Sequence, residues 1–219
     1  ALPWYLMILP MQSWLAEPFL AVAVGLHPVQ VPMVATHHLL VSPMVAMARV
    51  SRALYGKKAK VVFIGPCIAK KGASGEIDAA ITFTELRELF ERFNLNPGDV
   101  IPAEFDPPHS GKGAVFPVSH GLLSTMGHSM DITETNVVVA DGKSDFLDAI
   151  KEFANGTLEN THLELLCCEG CIMGPGMSTN GNRYSRRMHI GNYVKDKLET
   201  LDNRTWETQI DQFEDLDLG

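Results

Sequence analysis

Lys60-Val-Val-Phe-Ile-Gly-Pro-Cys67 and His162-Leu-Glu-Leu-Leu-Cys-Cys-Glu-Gly-Cys171 decide the fold, because each is a short apolar run that ends at cysteine. Runs of this length, bounded by Gly or Pro, read as buried strands. Helical patterns lie between them. Ser42 and Pro43 place an N-cap before a proline at the first helical position, and the helix runs to Leu54 before Gly56 stops it. Asp78-Ala-Ala-Ile-Thr-Phe83 is a further strand signal. Thr84 then caps a helix carrying Leu86, Leu89, Phe90 and Phe93 at helical spacing, ended by Asn96-Pro-Gly98. Asn136-Val-Val-Val-Ala140 reads as a strand and Asp141-Gly142 as a turn. Ser144 caps the next helix, with Phe146, Leu147, Ile150 and Phe153 on one face and Gly156 at its end. The alternation predicts an α/β fold: two βαβ-type lobes with mainly parallel sheets flanked by helices. Ligands of such sheets gather beyond the carboxyl ends of the strands. Cys67 and the 167–171 cluster both fall there, so the two are expected to meet at one cofactor between the lobes.

The rest of the chain divides around this core. Residues 1–41 are apolar, nearly uncharged and without a clean period, and are expected as broken helices in an atypical N-terminal segment with the abrupt start of a fragment. Residues 42–200 form the expected cofactor-binding core, and 201–219 an acidic C-terminal tail or linker. Residues 101–113 are a loop rich in Pro, Asp and Gly, and 115–127 a short apolar helix after a turn at Ser119-His-Gly121. With 219 residues, 46% of them hydrophobic, the chain can bury one large core or two small ones. A net charge of −8 without a basic stripe excludes nucleic acid as a partner. Pro10, Glu17, Pro18, Pro28 and Pro32 interrupt the apolar start, which excludes a membrane span there, and no basic leader precedes it. A cytoplasmic location is expected.

Four cysteines occur, Cys67, Cys167, Cys168 and Cys171. Adjacent Cys167 and Cys168 are poorly placed for a disulfide. One distant cysteine plus a tight cluster reads as metal ligation in a reducing compartment. The spacing in Cys168-Glu-Gly-Cys171 lets two sulfurs reach one iron–sulfur cluster, and Gly170 permits the tight turn. Gly174-Pro-Gly176 can expose backbone N–H groups toward sulfide or an anion. Spacing alone leaves open a thioredoxin-like redox pair or half of a zinc site. Lys70 and Lys71 follow Cys67 closely, either to hydrogen-bond an anionic cofactor or as two solvated surface lysines. His37 and His38 read as packing or surface residues, His109, His120 and His128 as loop histidines, and Met173 and Met177 as packing beside the cysteines.

Pro66-Cys-Ile-Ala-Lys-Lys71 resembles the P-C-x-x-K-K motif of the iron-only (diiron) hydrogenase large subunit. Glu164-Leu-Leu-Cys-Cys-Glu-Gly-Cys-Ile-Met-Gly-Pro-Gly176 resembles that family's later cysteine motif, in the form of its sensory or regulatory branches. The stretches from Gly75 to Leu89, from His109 to Ser119 and Gly181-Asn-Arg-Tyr184 agree, so the resemblance covers roughly 42–200. It implies a [4Fe-4S] cluster joined through a cysteine to a diiron subcluster with CO and cyanide ligands, together the H-cluster. Cys67 is implied as a cluster ligand, Cys168 as a second with Cys167 as its alternative, and Cys171 as the bridge to the diiron unit. Lys70 is implied as the catalytic lysine that hydrogen-bonds a cyanide, with Pro66, Ser119 and Gly174 also binding the cofactor. The implied reaction is reversible reduction of two protons to molecular hydrogen, or hydrogen sensing with low turnover. Electrons would come from a redox partner domain or subunit such as ferredoxin. Three departures stand out. No cysteine precedes Cys67, where Ala1-Leu-Pro-Trp4 occupies the place of a further motif; Gly65 stands where catalytic members carry Met; and His120 stands where Gly is expected. The missing cysteine keeps open a non-catalytic [4Fe-4S]-binding scaffold or assembly protein.

Overall fold

The computed structural model describes the backbone of residues 4–7 and all of 42–216 except 126, 130, 132, 134, 135, 159, 160, 179 and 180. Two parallel sheets carry the architecture. In the first, β1 (Trp4–Met7), β2 (Lys60–Ile64) and β3 (Ala79–Ile81) lie in that order, with Trp4 opposite Lys60 and Val62 opposite Ala79. In the second, β4 (Val137–Asp141) pairs with β5 (His162–Leu166), with Val137 opposite His162. The helices are α1 (Pro43–Tyr55), α2 (Phe83–Arg92), α3 (Gly121–Thr125), α4 (Lys143–Ala154), α5 (Arg183–Thr200) and α6 (Asn203–Asp211). Every described strand pairing is parallel, as the alternating pattern predicts.

The first lobe is organised by α1 on β2. Met44, Val45, Ala46, Met47, Ala48 and Val50 are all buried, so this helix is surrounded rather than merely one-sided. Met44 and Val45 pack on Phe63, and Val61, Phe63 and Ile64 are 2%, 2% and 1% exposed. Each large side chain so buried contributes about 1.5–3 kcal/mol. A polar network ties the amino end of β2. Arg49 forks onto Glu76 at 2.8 and 3.1 Å, Arg52 donates to the Glu76 carbonyl at 2.7 Å, and Asp78 accepts from Lys60 Nζ at 2.7 Å and from the Val61 N–H at 2.9 Å. The Lys60 hydrogen bond, then the Val61 N–H, hold the Asp78 carboxyl below its ordinary value.

Several expected boundaries move, each for a local reason. Residues 4–7 of the segment expected as broken helices form a strand on β2, whose partner edge is otherwise open; the remainder of that expectation, with His37 and His38, lies outside the described residues. The cap of α2 is Thr82 rather than Thr84. Thr82 Oγ1 accepts the Glu85 N–H at 3.2 Å while Glu85 returns its carboxylate to the Thr82 N–H at 2.7 Å, a reciprocal box that shortens β3. The cap of α4 is Gly142 at φ 87° rather than Ser144, because the Gly142 N–H is engaged by the Leu166 and Cys168 carbonyls at 3.0 and 3.1 Å. A 3-10 turn, Gly111–Val115, extends into the loop expected over 101–113, and the helix expected over 115–127 is reduced to the short α3. His120 at φ 74° breaks it, and Gly121 sits so close that a Cβ there would lie 2.1 Å from the Val115 carbonyl oxygen.

Helices α5 and α6 carry no clear sequence signal. Only Val194 of α5 is buried, so its apolar stripe is faint. Residues 203–211, expected within an acidic tail or linker, form a helix capped by Asp202, which accepts from the Arg204 and Thr205 N–H groups. Trp206 anchors it, donating Nε1–H to the His109 carbonyl at 2.8 Å with its ring over Gly111.

Candidate metal centre

The site grows from the carboxyl ends of β2 and β5. Beyond Ile64 the chain stays in register for one more residue, the Gly65 N–H donating to the Ile81 carbonyl at 3.1 Å. Pro66 follows, and Cys67 leads into the 3-10 turn Ile68–Gly72. That turn has three residues per revolution, so Lys70 comes back over Cys67, its N–H donating to the Cys67 carbonyl at 3.3 Å. Beyond Leu166 the chain turns through Cys167 and Cys168 to Gly170 at φ 85°, a left-handed conformation that favours glycine. A second 3-10 turn, Cys171–Met173, follows.

Backbone contacts lock the two cysteine loops together. The Gly176 N–H donates to the Pro66 carbonyl at 2.9 Å, and the Thr84 N–H donates to the Gly176 carbonyl at 3.2 Å. A Cβ at Gly174 would stand 2.6 Å from the Pro66 oxygen, and one at Gly176 would stand 2.5 Å from Thr82 Cβ. On its other side the later loop rests on residues 117–119. The Ile172 N–H donates to the Pro117 carbonyl at 3.2 Å, and a Cβ at Gly170 would meet that oxygen at 3.2 Å and the Ser119 nitrogen at 3.4 Å. Arg186 of α5 closes the outside, donating to the Ile172 carbonyl at 2.7 Å and the Ser178 carbonyl at 2.5 Å.

All four cysteines are free thiols; Cys67 and Cys171 are partly buried, and Cys167 and Cys168 are exposed. Burial first, then the neighbouring Cys67 and Cys168, push the Cys171 thiol up to about 11, with Lys70 opposing them. The fold therefore brings Cys67, Cys168 and Lys70 within electrostatic reach of Cys171. Pro66 and Gly174 touch each other at this junction, Ser119 lies against Gly170, and Cys167 sits in the same turn as Cys168. The two lysines divide. Lys71 pairs with Glu85, whose carboxyl is pushed down to about 2 by that lysine first and by Thr82 next. Among the described residues, no three His, Cys, Asp or Glu side chains are grouped closely enough to hold one metal ion.

The first residue of the later cysteine motif has no role announced by the sequence. Glu164 lies in the middle of β5, opposite Val139, and is only 2% exposed. Its Oε1 accepts the His120 N–H at 2.9 Å and its Oε2 the Leu123 N–H at 3.0 Å. Burial raises its pKa above the ordinary glutamate value, against the pull of the Leu123 and His120 N–H groups. Besides its place at the start of that motif, its sequence signal is a carboxylate inside an otherwise apolar strand run. A separate cavity of about 630 Å³ lies at the amino end of β2, lined by Tyr55, Lys60, Phe105, Tyr193 and Trp206 among others, and none of the candidate ligands borders it.

Residues 27–175 match the family model of the iron only hydrogenase large subunit, C-terminal domain. The match spans more than half of the chain, which belongs to that family. Among solved structures, nine chains match, one of them a variant of the [FeFe]-hydrogenase HydA1 from Chlamydomonas reinhardtii. It superposes with a TM-score of 0.58 at 18% identity, covering 96% of this chain and 77% of that one, and so shows a shared fold. A search of the curated proteins found no match. No helix of the described residues is long and apolar enough to cross a membrane.

Proposed function

We propose that this chain is a hydrogenase-type redox protein in which Cys67, Cys168 and Cys171 hold a [4Fe-4S] cluster, with Cys171 joining it to a diiron unit carrying CO and cyanide. The observation that carries the proposal is the convergence of Cys67, Cys168 and Lys70 on the partly buried Cys171. The donor set fits the group. Thiolates of a cluster cap separate irons, so they need not crowd as ligands of one zinc ion must, and no such crowded group exists among the described residues. Burial and mutual repulsion disfavour thiolate at Cys171, and a polycationic centre reverses that preference.

When bound, the cofactor would supply the chemistry, the reversible reduction of two protons to molecular hydrogen. The chain's own residues supply placement. The Gly176-to-Pro66 hydrogen bond and the close approach of Gly174 hold the two cysteine loops in fixed separation. Lys70, freed from the ion pair that occupies Lys71, offers an ammonium donor to an anionic ligand beside Cys171. Pro66, Ser119 and Gly174 form the backbone wall. Electrons come from a separate redox partner such as ferredoxin, in a reducing, cytoplasmic compartment.

Analysis of iron and sulfide after anaerobic reconstitution tests the cluster, and infrared bands of CO and cyanide after maturation with a loaded diiron precursor test the second unit. Both are expected, and Cys171→Ser is expected to abolish both. A second reading, a [4Fe-4S] scaffold without the diiron unit, is favoured by the cysteine count, since only Cys167 remains as a further thiol and it shares a turn with Cys168. Iron and sulfide without the infrared bands would select it. Hydrogen sensing is distinguished from turnover by hydrogen evolution from a reduced one-electron donor.

A further inference from the structure

Glu164 is a buried carboxylate held by backbone N–H groups, with the His120 imidazole beside it. The groups facing it can be named from each element packed around it. The segment before α3 offers the N–H and imidazole of His120, and α3 offers the Leu123 N–H. On β5, His162 shares its face two residues earlier, its ring tilted against that of His128 with centroids 4.4 Å apart. From β4, Val139 is opposite; the nearest acidic residue on that strand, Asp141, is taken by Arg183. Burial opposes its charge, and the Leu123, His120 and Leu122 N–H groups with the His120 imidazole favour it. The same N–H groups connect it to the cysteines, because residues 117–120 continue directly into the wall that receives Gly170 and Ile172. Along β5 the Cα of Glu164 is within roughly 14 Å of that of Cys168, four residues on.

We infer that Glu164 takes up a proton when an electron is added at the cysteine site. One electron from a one-electron donor enters the site, one solvent proton forms an O–H bond on the Glu164 carboxylate, and oxidation reverses both. Glu164 acts as a positioning and proton-accepting residue rather than a ligand. A unit charge at about this distance, at an effective dielectric constant of about 20, raises its proton affinity about tenfold. For a one-electron couple that tenfold change corresponds to about 59 mV. The inference rests on the cluster reading above.

The test uses the full chain with its reconstituted cluster. The midpoint potential is followed by redox-poised electron paramagnetic resonance across pH. In the parent chain it is expected to fall with pH, by about 59 mV in total, between two plateaus; in Glu164→Gln it is expected to be flat. A pH-independent potential in the parent chain, or an unchanged profile in Glu164→Gln, overturns the coupling. Should that variant fail to fold, the reduced-minus-oxidised infrared spectrum of the parent chain decides instead. A protonated carboxyl band that appears on reduction and shifts in heavy water supports the coupling, and no such band overturns it. A chain that assembles no cluster removes both the coupling and the cluster reading, whereas a cluster with flat potential removes the coupling alone.

Discussion

Gly174→Ala tests how the two cysteine loops are held. The added Cβ would stand 2.6 Å from the Pro66 carbonyl oxygen and 3.0 Å from that of Cys171. Both are backbone atoms, so no side chain can swing aside. Ordinary contact begins at 3.4 Å, and the loops must therefore separate by 3.4 − 2.6 = 0.8 Å. If the separation runs along the neighbouring Gly176-to-Pro66 hydrogen bond, that bond stretches from 2.9 Å to about 3.7 Å, past the useful range. The loss of one backbone hydrogen bond, about 1 kcal/mol, adds to about 1–3 kcal/mol for overpacking. The expected destabilisation is roughly 2–4 kcal/mol, read from urea unfolding with an unchanged m-value. The variant should also bind less iron and sulfide on reconstitution, since Cys67 and Cys171 are carried by the loops that part. A variant within about 0.5 kcal/mol of the parent that binds the cluster equally well would refute the claim that this contact sets the spacing.

Other consequences are simpler. His120→Gly relieves a left-handed residue at φ 74° and should raise stability by up to about 1 kcal/mol in urea unfolding, with a decrease counting against the strain. Trp206→Ala removes both the ring over Gly111 and the hydrogen bond to the His109 carbonyl, and should cost about 2–3 kcal/mol in the same assay while leaving cluster content unchanged. Glu85 has a folded pKa of about 2, below the ordinary 4.5, so its contribution is present above the unfolded value and disappears as pH falls toward 2. The parent chain should thus lose more stability than Glu85→Gln between pH 5 and pH 2.5 (about half a unit outside and inside that window), and parallel losses would contradict the Lys71 and Thr82 contacts. Gly65→Ala places a Cβ 2.7 Å from the Phe63 ring, so its cost should be about 1–3 kcal/mol and should shrink in a Phe63→Leu background.

The parallel sheets were legible because β2, β4 and β5 are apolar runs that stop abruptly at Gly-Pro-Cys, Asp-Gly or Cys, and the cysteine edge was legible because two of those stops contain cysteine. Caps were less so. Thr82 and Thr84 both precede the apolar stripe of α2, and only the reciprocal bond to Glu85 selects between them. Helix α5 escaped notice because its polar sequence has a single buried residue, Val194, and helices of that kind are set by length and caps rather than by a stripe. At the site, the motif supplied Cys67, Lys70, Cys168 and Cys171 by number, but nothing in Lys70-Lys71 says which lysine turns outward. That is decided by Glu85, fourteen residues on, whose own position is fixed by the α2 capping box. The role of Glu164, which opens the later motif, was hidden for the opposite reason. It pairs with backbone N–H groups, which no side-chain pattern records.

The placement of charge along β2 explains why the two ends of the sheet behave differently. At the amino end Asp78 accepts from Lys60 and the Val61 N–H, and its carboxyl is lowered, so the charged state is favoured in the fold. At the carboxyl end burial and neighbouring thiols work against the charged state of Cys171, with Lys70 alone opposing them. A chain without metal therefore holds that thiol protonated, and iron can enter only by displacing a proton. The energy that holds the loops in place does not come from the thiols. It comes from the Pro66 carbonyl, the Pro117 carbonyl and the two glycines that allow backbone to meet backbone. Backbone hydrogen bonds join the two loops, and at Cys171 a bound cation would stabilise the thiolate that burial disfavours.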